Sequence, residues 1–193
     1  MRNSPDTRAA GHVARASRAV CVLGAAIFCS WAAGDASAVT PGETAPRCDL
    51  AALGAGPVLD TALAASGRVV LVDFWASWCA PCAHAFGSLN ELERDFREAG
   101  FSVIGVNVDE DPDDALDFLE RHPAEFALGA DPTGVCPRAF AVIGMPSSYL
   151  VDRRGVVRSV HRGFRPSTLP ALRAEIESLL AESPSSDERA TAR

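Results

Sequence analysis

Residues 69–82 read Val69-Val70-Leu71-Val72-Asp73-Phe74-Trp75-Ala76-Ser77-Trp78-Cys79-Ala80-Pro81-Cys82, and this stretch dictates the fold class. Its first seven residues are β-branched, leucine or aromatic, with one acid among them. A run that apolar suits a central strand covered on both faces. Pro81 fits the first turn of a following helix, where its missing N–H costs nothing. Two cysteines separated by two residues at a strand-to-helix junction can close a small disulfide ring. The first thiol then lies at a helix N-terminus, where free N–H groups and the helix dipole favour the thiolate. The thiolate is the attacking species in disulfide exchange. Cys79 is therefore the expected nucleophile, and Cys82, one turn further in, the expected resolving group. Ala80 places no charge between them.

Outward from this stretch the elements alternate. Phe86, Leu89, Leu92 and Phe96 recur at helical spacing after Pro81, and Gly100 ends that helix. Phe101–Val108 is a second strand, and Asp111-Pro112 opens a second helix with Ala115, Phe118 and Leu119 on its apolar face. Strand, helix, strand, helix is the order of a parallel α/β unit. The second half differs. Asp131-Pro132 begins a short helix predicted to end near Val142. Ser148–Asp152 reads as a strand, Arg153-Arg154-Gly155 as a turn, and Val156–Val160 as the hairpin partner. Leu169–Leu180 is a closing amphipathic helix. Residues 39–67 form a lead-in with one or two short strands. One domain over residues 39–182 is expected, with residues 183–193 as a Ser-, Glu- and Arg-rich disordered tail.

The chain has 193 residues, 48% hydrophobic and 22% charged, which predicts a packed core. A formal charge of −7 argues against nucleic acid as a partner, since phosphate binding needs clustered cations. At the N-terminus, Arg2, Arg8, Arg15 and Arg18 precede an apolar run from Ala19 to Ala33, and Ala36 and Ala38 frame a small-residue cleavage site. Residues 1–38 therefore read as a secretory signal peptide, too short in its apolar part for a comfortable membrane span. The expected location is periplasmic or otherwise extracytoplasmic, with an uncleaved membrane anchor as the alternative. Cleavage removes Cys21 and Cys29 and leaves Cys48, Cys79, Cys82 and Cys136 in an oxidising compartment.

Other readings of the thiol pair are weaker. A zinc site needs two more ligands, and no second Cys-x-x-Cys or spaced His pair occurs. A purely structural bridge of this spacing closes too small a loop to contribute much. Copper carriage is the alternative function, because soft thiolates suit Cu(I), although no Met-rich or His-rich segment supports it. No metal is expected. Asp109, Glu110, Asp111, Asp113 and Asp114 lack calcium-loop spacing and read as a solvated helix N-terminus. His84 reads as a solvated helix residue and Trp75 as core.

Val72 to Cys82 closely resembles the active-site strand and turn of thioredoxins. With the leader, Val106-Asn107-Val108-Asp109 and Gly144-Met145-Pro146-Ser147-Ser148-Tyr149-Leu150-Val151-Asp152, the wider pattern resembles the TlpA/ResA branch of exported thioredoxin-like proteins over roughly residues 43–181. The resemblance implies a thioredoxin-like α/β fold, a central mixed β-sheet flanked by helices. It implies a protein-disulfide oxidoreductase that is a reductant of exported proteins carrying disulfides, with apocytochrome c before haem attachment as one substrate class. Such a protein would draw electrons from a membrane donor, work as a monomer, and need no cofactor beyond the Cys79–Cys82 pair. Pro146 matches a proline that is cis in this fold and packs beside the cysteines, leaving the backbone of Met145 to pair with an extended substrate. Asp73 matches an acid that handles the proton of the second cysteine, and burial would raise its pKa. ResA-type proteins carry a glutamate three positions after the second cysteine, where this chain has Ala85, so Asp73 is the expected acid. Trp78 would flank the disulfide and, with Ala80, Pro81 and Met145, offer a surface to substrate. A thiol peroxidase of the same fold would need a Thr where Ala76 stands.

Cys48 and Cys136 are extra to this pattern. Two spare cysteines in an oxidising compartment suggest a structural disulfide that ties the lead-in to the domain; two separate buried thiols are the alternative.

Overall fold

The computed structural model describes residues 39–53, 59–61 and 67–182. The predicted signal peptide and C-terminal tail lie outside the described residues. In chain order the elements are β1 (Asp49–Ala52), β2 (Leu59–Asp60), β3 (Val69–Trp75), α1 (Ala80–Phe96), β4 (Phe101–Asn107), α2 (Pro112–Arg121), β5 (Ala127–Ala130), α3 (Val135–Ala139), β6 (Ser147–Val151), β7 (Val157–Arg162) and α4 (Leu169–Ala181). The strands form one mixed sheet in the order β2-β1-β5-β4-β3-β6-β7. β3, β4 and β5 are parallel, and β6 and β7 complete the sheet as an antiparallel hairpin against β3. This is the expected thioredoxin-like α/β architecture.

All seven residues of β3 are buried. Val69, Leu71 and Trp75 join a core with Leu89 and Leu92 of α1, Phe118 of α2 and Ile176 of α4. Val70, Val72 and Phe74 join a second core on the other face with Phe140, Tyr149 and Val157. A strand with apolar cover on both sides needs no polar alternation, which is why its run is continuous. Asp73 alternates with the first set and so faces α1.

β5 was not anticipated. Ala127-Leu128-Gly129-Ala130 has no β-branched residue and reads as loop. It becomes a strand because β4 on one side and β1 on the other hydrogen-bond its backbone. Gly129 permits this pairing: a Cβ there would stand 2.6 Å from Cβ of Leu50 on β1.

The short helix is shorter than predicted. It begins at Val135 rather than at Asp131, and it ends before Val142. A residue preceding proline is driven out of the helical region, and Asp131 precedes Pro132. Its carboxylate instead accepts from the N–H of Thr133, the hydroxyl of Thr133 and, at 2.5 Å, the N–H of Cys136. Those charged-acceptor bonds hold its carboxyl below the usual range despite some burial. At the other end Ala141 adopts φ 52° and stops the helix.

Cys48 and Cys136 are joined by a disulfide, with Cα atoms 5.5 Å apart and a sequence separation of 88. Both lie in the core on the face away from α1, where the bridge fastens the β1 lead-in to α3.

Candidate active site

The cysteine pair sits where β3 leaves the sheet and α1 begins. Cys79 is the N-cap residue of α1, in an extended conformation, and its sulfur accepts from the N–H of Cys82 at 3.3 Å. The sulfur therefore occupies the position that a Ser or Asp oxygen takes in an ordinary cap. No acid stands in the first turn of α1, so no side chain there competes for the positive end of the helix. Cys79 and Cys82 are disulfide-bonded, with Cα atoms 5.3 Å apart. Cys79 retains 4% exposure and Cys82 none, an asymmetry that suits an attacking and a resolving sulfur. Cys48 and Cys136 are bonded to each other in the opposite core, so neither can complete a metal site around Cys79 and Cys82.

Asp73 lies in the middle of β3, 2% exposed. One carboxylate oxygen accepts from the hydroxyl of Ser148 on β6 at 2.5 Å. The other, Oδ2, is buried without a hydrogen-bond partner among the described residues, as is Trp75 Nε1. Burial pushes the carboxyl up to about 7, and the Ser148 bond opposes part of that rise. The pocket holding Asp73 is walled by Ala85 and Leu89, one and two turns beyond Cys82 on α1. Ala85 contributes only a buried methyl group to this wall, and among the described residues Asp73 is the carboxyl that lines the pocket.

The remaining predicted residues divide. Pro146 follows a cis peptide bond, is buried, and lines the same pocket as Asp73. Its carbonyl accepts from Gly163 N–H at 2.8 Å, and Ser147 Oγ donates to the carbonyl of Gly144 at 2.7 Å, so the loop is held from both sides. Met145 packs against both cores and is half-buried. Ala80 and Pro81 are exposed and line an open groove with His84, Ser88, Phe164 and Pro166. Trp78 does not line that groove; it stands 70% exposed beside Cys79. Trp75 is fully buried, edge-on to Phe86 at 5.0 Å.

Asp109 corrects the reading of the acidic cluster. It is 4% exposed, not solvated. Its carboxylate accepts from the N–H of Ser77 at 2.9 Å, from Ser77 Oγ at 3.0 Å and from Asn107 Nδ2 at 2.7 Å. It thereby anchors the turn that leads into Cys79. Only Asp111 of the group acts as a helix cap, accepting from Asp113 N–H. An acid two residues past the end of a parallel strand, where loops of neighbouring strands meet, was the signal that could have identified Asp109.

The chain matches the Redoxin family over residues 40–179. It is 36% identical to the thiol:disulfide interchange protein HelX of Rhodobacter capsulatus, over 72% of this chain and 77% of that protein. It is 31% identical to the thiol-disulfide oxidoreductase ResA of Bacillus thuringiensis over 47% of this chain, and spans about half (53%) of that relative. Among solved structures, a Chlorobium tepidum protein described as the thiol:disulfide interchange protein DsbE superposes with a TM-score of 0.71 at 40% identity, covering 75% of this chain and all (100%) of that one. These relatives are named for disulfide chemistry and none for copper, so the copper-carrier reading is not supported.

Proposed function

The chain belongs to the Redoxin family and is a thiol–disulfide oxidoreductase; on that premise we propose that it reduces disulfides of exported proteins, apocytochrome c before haem attachment among them. The observation that carries this reading is the cap: Cys79 sulfur receives an N–H at the unopposed positive end of α1, the helix that also covers the buried Asp73. The Cys79 thiolate attacks one sulfur of the substrate disulfide, and the other sulfur leaves as a thiolate. Cys82 then gives its proton to Asp73 and attacks Cys79, forming the intramolecular disulfide and releasing the reduced substrate. In that cycle the Cys79–Cys82 disulfide is the oxidised form that the resolving step produces. A membrane-bound dithiol donor returns two electrons to it, and no cofactor other than the disulfide takes part.

The substrate segment docks in extended form along the backbone of Met145, beside Pro146, as an added strand. Trp78 offers it an apolar face, and Ala80 and Pro81 border the groove it leaves by. The N-terminal signal sequence supports a periplasmic location for the mature domain. No helix among the described residues is long and apolar enough to cross a membrane.

Replacement of Cys79 by Ser tests the mechanism. The variant is expected to lose insulin-disulfide reduction while keeping its fold by circular dichroism. Retained activity in C79S would overturn it. Redox titration of the pair tests the direction: a reductase should titrate near the reducing end of the known range, about −270 mV, whereas about −120 mV would make it an oxidant.

A further inference from the structure

Polar side chains on the α1 side of the sheet continue beyond Asp73. Asp73 on β3 stands opposite Ser148 on β6, and Ser148 stands opposite His161 on β7. Residues opposite one another in a sheet project to the same face. All three line one pocket beneath α1, which is large enough to admit a water molecule. Ser148 Oγ donates to Asp73 Oδ1. At the far end, His161 Nε2 lies 3.0 Å from Glu175 Oε2 on α4 and 3.1 Å from Ser159 Oγ, which donates to the same carboxylate oxygen. The side chains of His161 and Glu175 are 25% and 39% exposed. The row therefore starts at the buried Asp73 beneath α1 and ends at the partly exposed His161 and Glu175.

We propose that Ser148, His161 and Glu175 form the route by which the proton taken up by Asp73 leaves for solvent and returns. The inference rests on Asp73 being the acid that serves Cys82. In the resolving step the S–H bond of Cys82 breaks and its proton moves to the Asp73 carboxylate. The Cys82 sulfur bonds to Cys79, and the substrate sulfur leaves with the electron pair. Asp73 must be free of a proton before it can take the one from Cys82, and below about pH 7, where it starts the turnover protonated, that proton must leave first. Asp73 passes the proton to the Ser148 oxygen, and Ser148 releases its own hydroxyl proton through water in the pocket to the His161 imidazole. The imidazolium is held by the Glu175 carboxylate and discharges to solvent. The net change is one proton moved from Cys82 to water, with no change of oxidation state along the route.

Around this row the pocket wall carries no other charged side chain among the described residues, although Ser88 and Phe164 also border the groove beside Pro81. α1 presents Ala85, Ser88, Leu89 and Leu92 to the pocket, and α4 presents Leu169 and Leu172, none of them charged. Among the described residues, Asp73 is the charged group that shares the pocket with His161, and Glu175 is the one that pairs with it. Arg158 of β7 lies with Glu175 in the adjoining cleft, but its guanidinium is committed to Asp152 and Glu182. Histidine is the side chain whose unperturbed range lets it carry a proton both ways near neutrality.

The test is single-turnover oxidation of the reduced protein by saturating insulin disulfide, followed by tryptophan fluorescence at pH values on both sides of about 7. Below about pH 7 His161→Gln should slow the Cys82 step on the order of tenfold, less than the ~100-fold that loss of a general base costs, and the effect should fade above it. The midpoint potential of the cysteine pair should stay at the wild-type value, because a route changes rate and not equilibrium. His161→Gly should be equally slow and should regain rate with added imidazole, a rescue that a packing defect would not show. Ser148→Ala should be slow and Ser148→Thr, which keeps the hydroxyl, close to wild type; this pair decides the matter if the glycine variant does not fold. Wild-type rates below about pH 7 in H161Q or S148A, or an H161G rate indifferent to imidazole, would overturn the route while leaving the exchange function intact. A wild-type protein that does not turn over would overturn the exchange function and the route together.

Discussion

Asp73 is the residue on which pH dependence turns. An ordinary Asp titrates at 3.8, and burial brings this one to about 7. The folded state therefore holds the proton through a range in which the unfolded chain has released it. Stability from this group is fully present below pH 3.8 and is lost as pH rises through about 7, roughly 4 kcal/mol in all. Asp131 and Asp152 act in the opposite sense, since hydrogen bonds hold their carboxyls low; their contribution is present above 3.8 and is lost on further acidification. Between pH 5 and 8 Asp73 should dominate. The oxidised protein is expected to have a higher urea midpoint at about pH 5 than at about pH 8, and Asp73→Asn should flatten that difference. The same substitution should slow oxidation of the dithiol by on the order of 100-fold above neutrality, and erase the rise in rate through about pH 7. An unchanged rate profile in D73N would remove Asp73 from the proton step.

At the scale of elements, the site depends on how the β3–α1 turn is held. Trp75 ends β3 inside an aromatic cluster with Phe86 and Phe118, so the strand cannot shift beneath the cysteines. The next residues are fixed from β4: Asn107 closes that strand and Asp109 just after it holds both the backbone and the hydroxyl of Ser77. Asp109→Ala would leave the half-buried N–H of Ser77 and the buried amide of Asn107 without their charged acceptor. A loss of about 2–3 kcal/mol is expected in urea unfolding. Amide exchange at Ser77 should accelerate more than exchange within β3, because the anchor lies in the turn. Glu93 has a similar role deeper in the domain: its carboxylate accepts from Val103 N–H at 2.6 Å, tying α1 to β4.

Over the whole molecule, the two disulfides divide the labour between the faces of the sheet. Cys79–Cys82 closes a tiny ring on the α1 face, and Cys48–Cys136 closes a long loop on the other. A crosslink across 88 residues restricts the unfolded chain strongly, by about 4–5 kcal/mol in the chain-entropy account. The double variant Cys48→Ser, Cys136→Ser is expected to lose stability on that order while still reducing insulin, since the bridge lies in the core on the other face of the sheet from Cys79 and Cys82. Loss of activity in a variant that remains folded would show that the bridge shapes the site. In the oxidised protein, Cys48, Cys79, Cys82 and Cys136 should give no reaction with a thiol reagent before denaturation.

Local chemistry determined much of this protein in advance. The all-apolar β3, the thiol spacing and Pro81 specify a buried strand running into a helix whose first turn carries Cys79, because propensity and periodicity act over neighbouring residues. Asp73 was legible for the same reason: an acid inside such a strand has nowhere solvated to go. What only the tertiary structure decided is how distant groups meet. β5 exists because two strands hydrogen-bond an otherwise featureless segment, and Gly129 matters because Leu50 lies against it. Cys48 could choose Cys136 only once β1 and α3 shared a core. Asp109 looked like a member of a solvated cluster until β4 carried it beneath Ser77. Ser148 and His161 became neighbours of Asp73 through strand register, a relation between segments 75 residues apart and more that no local pattern records.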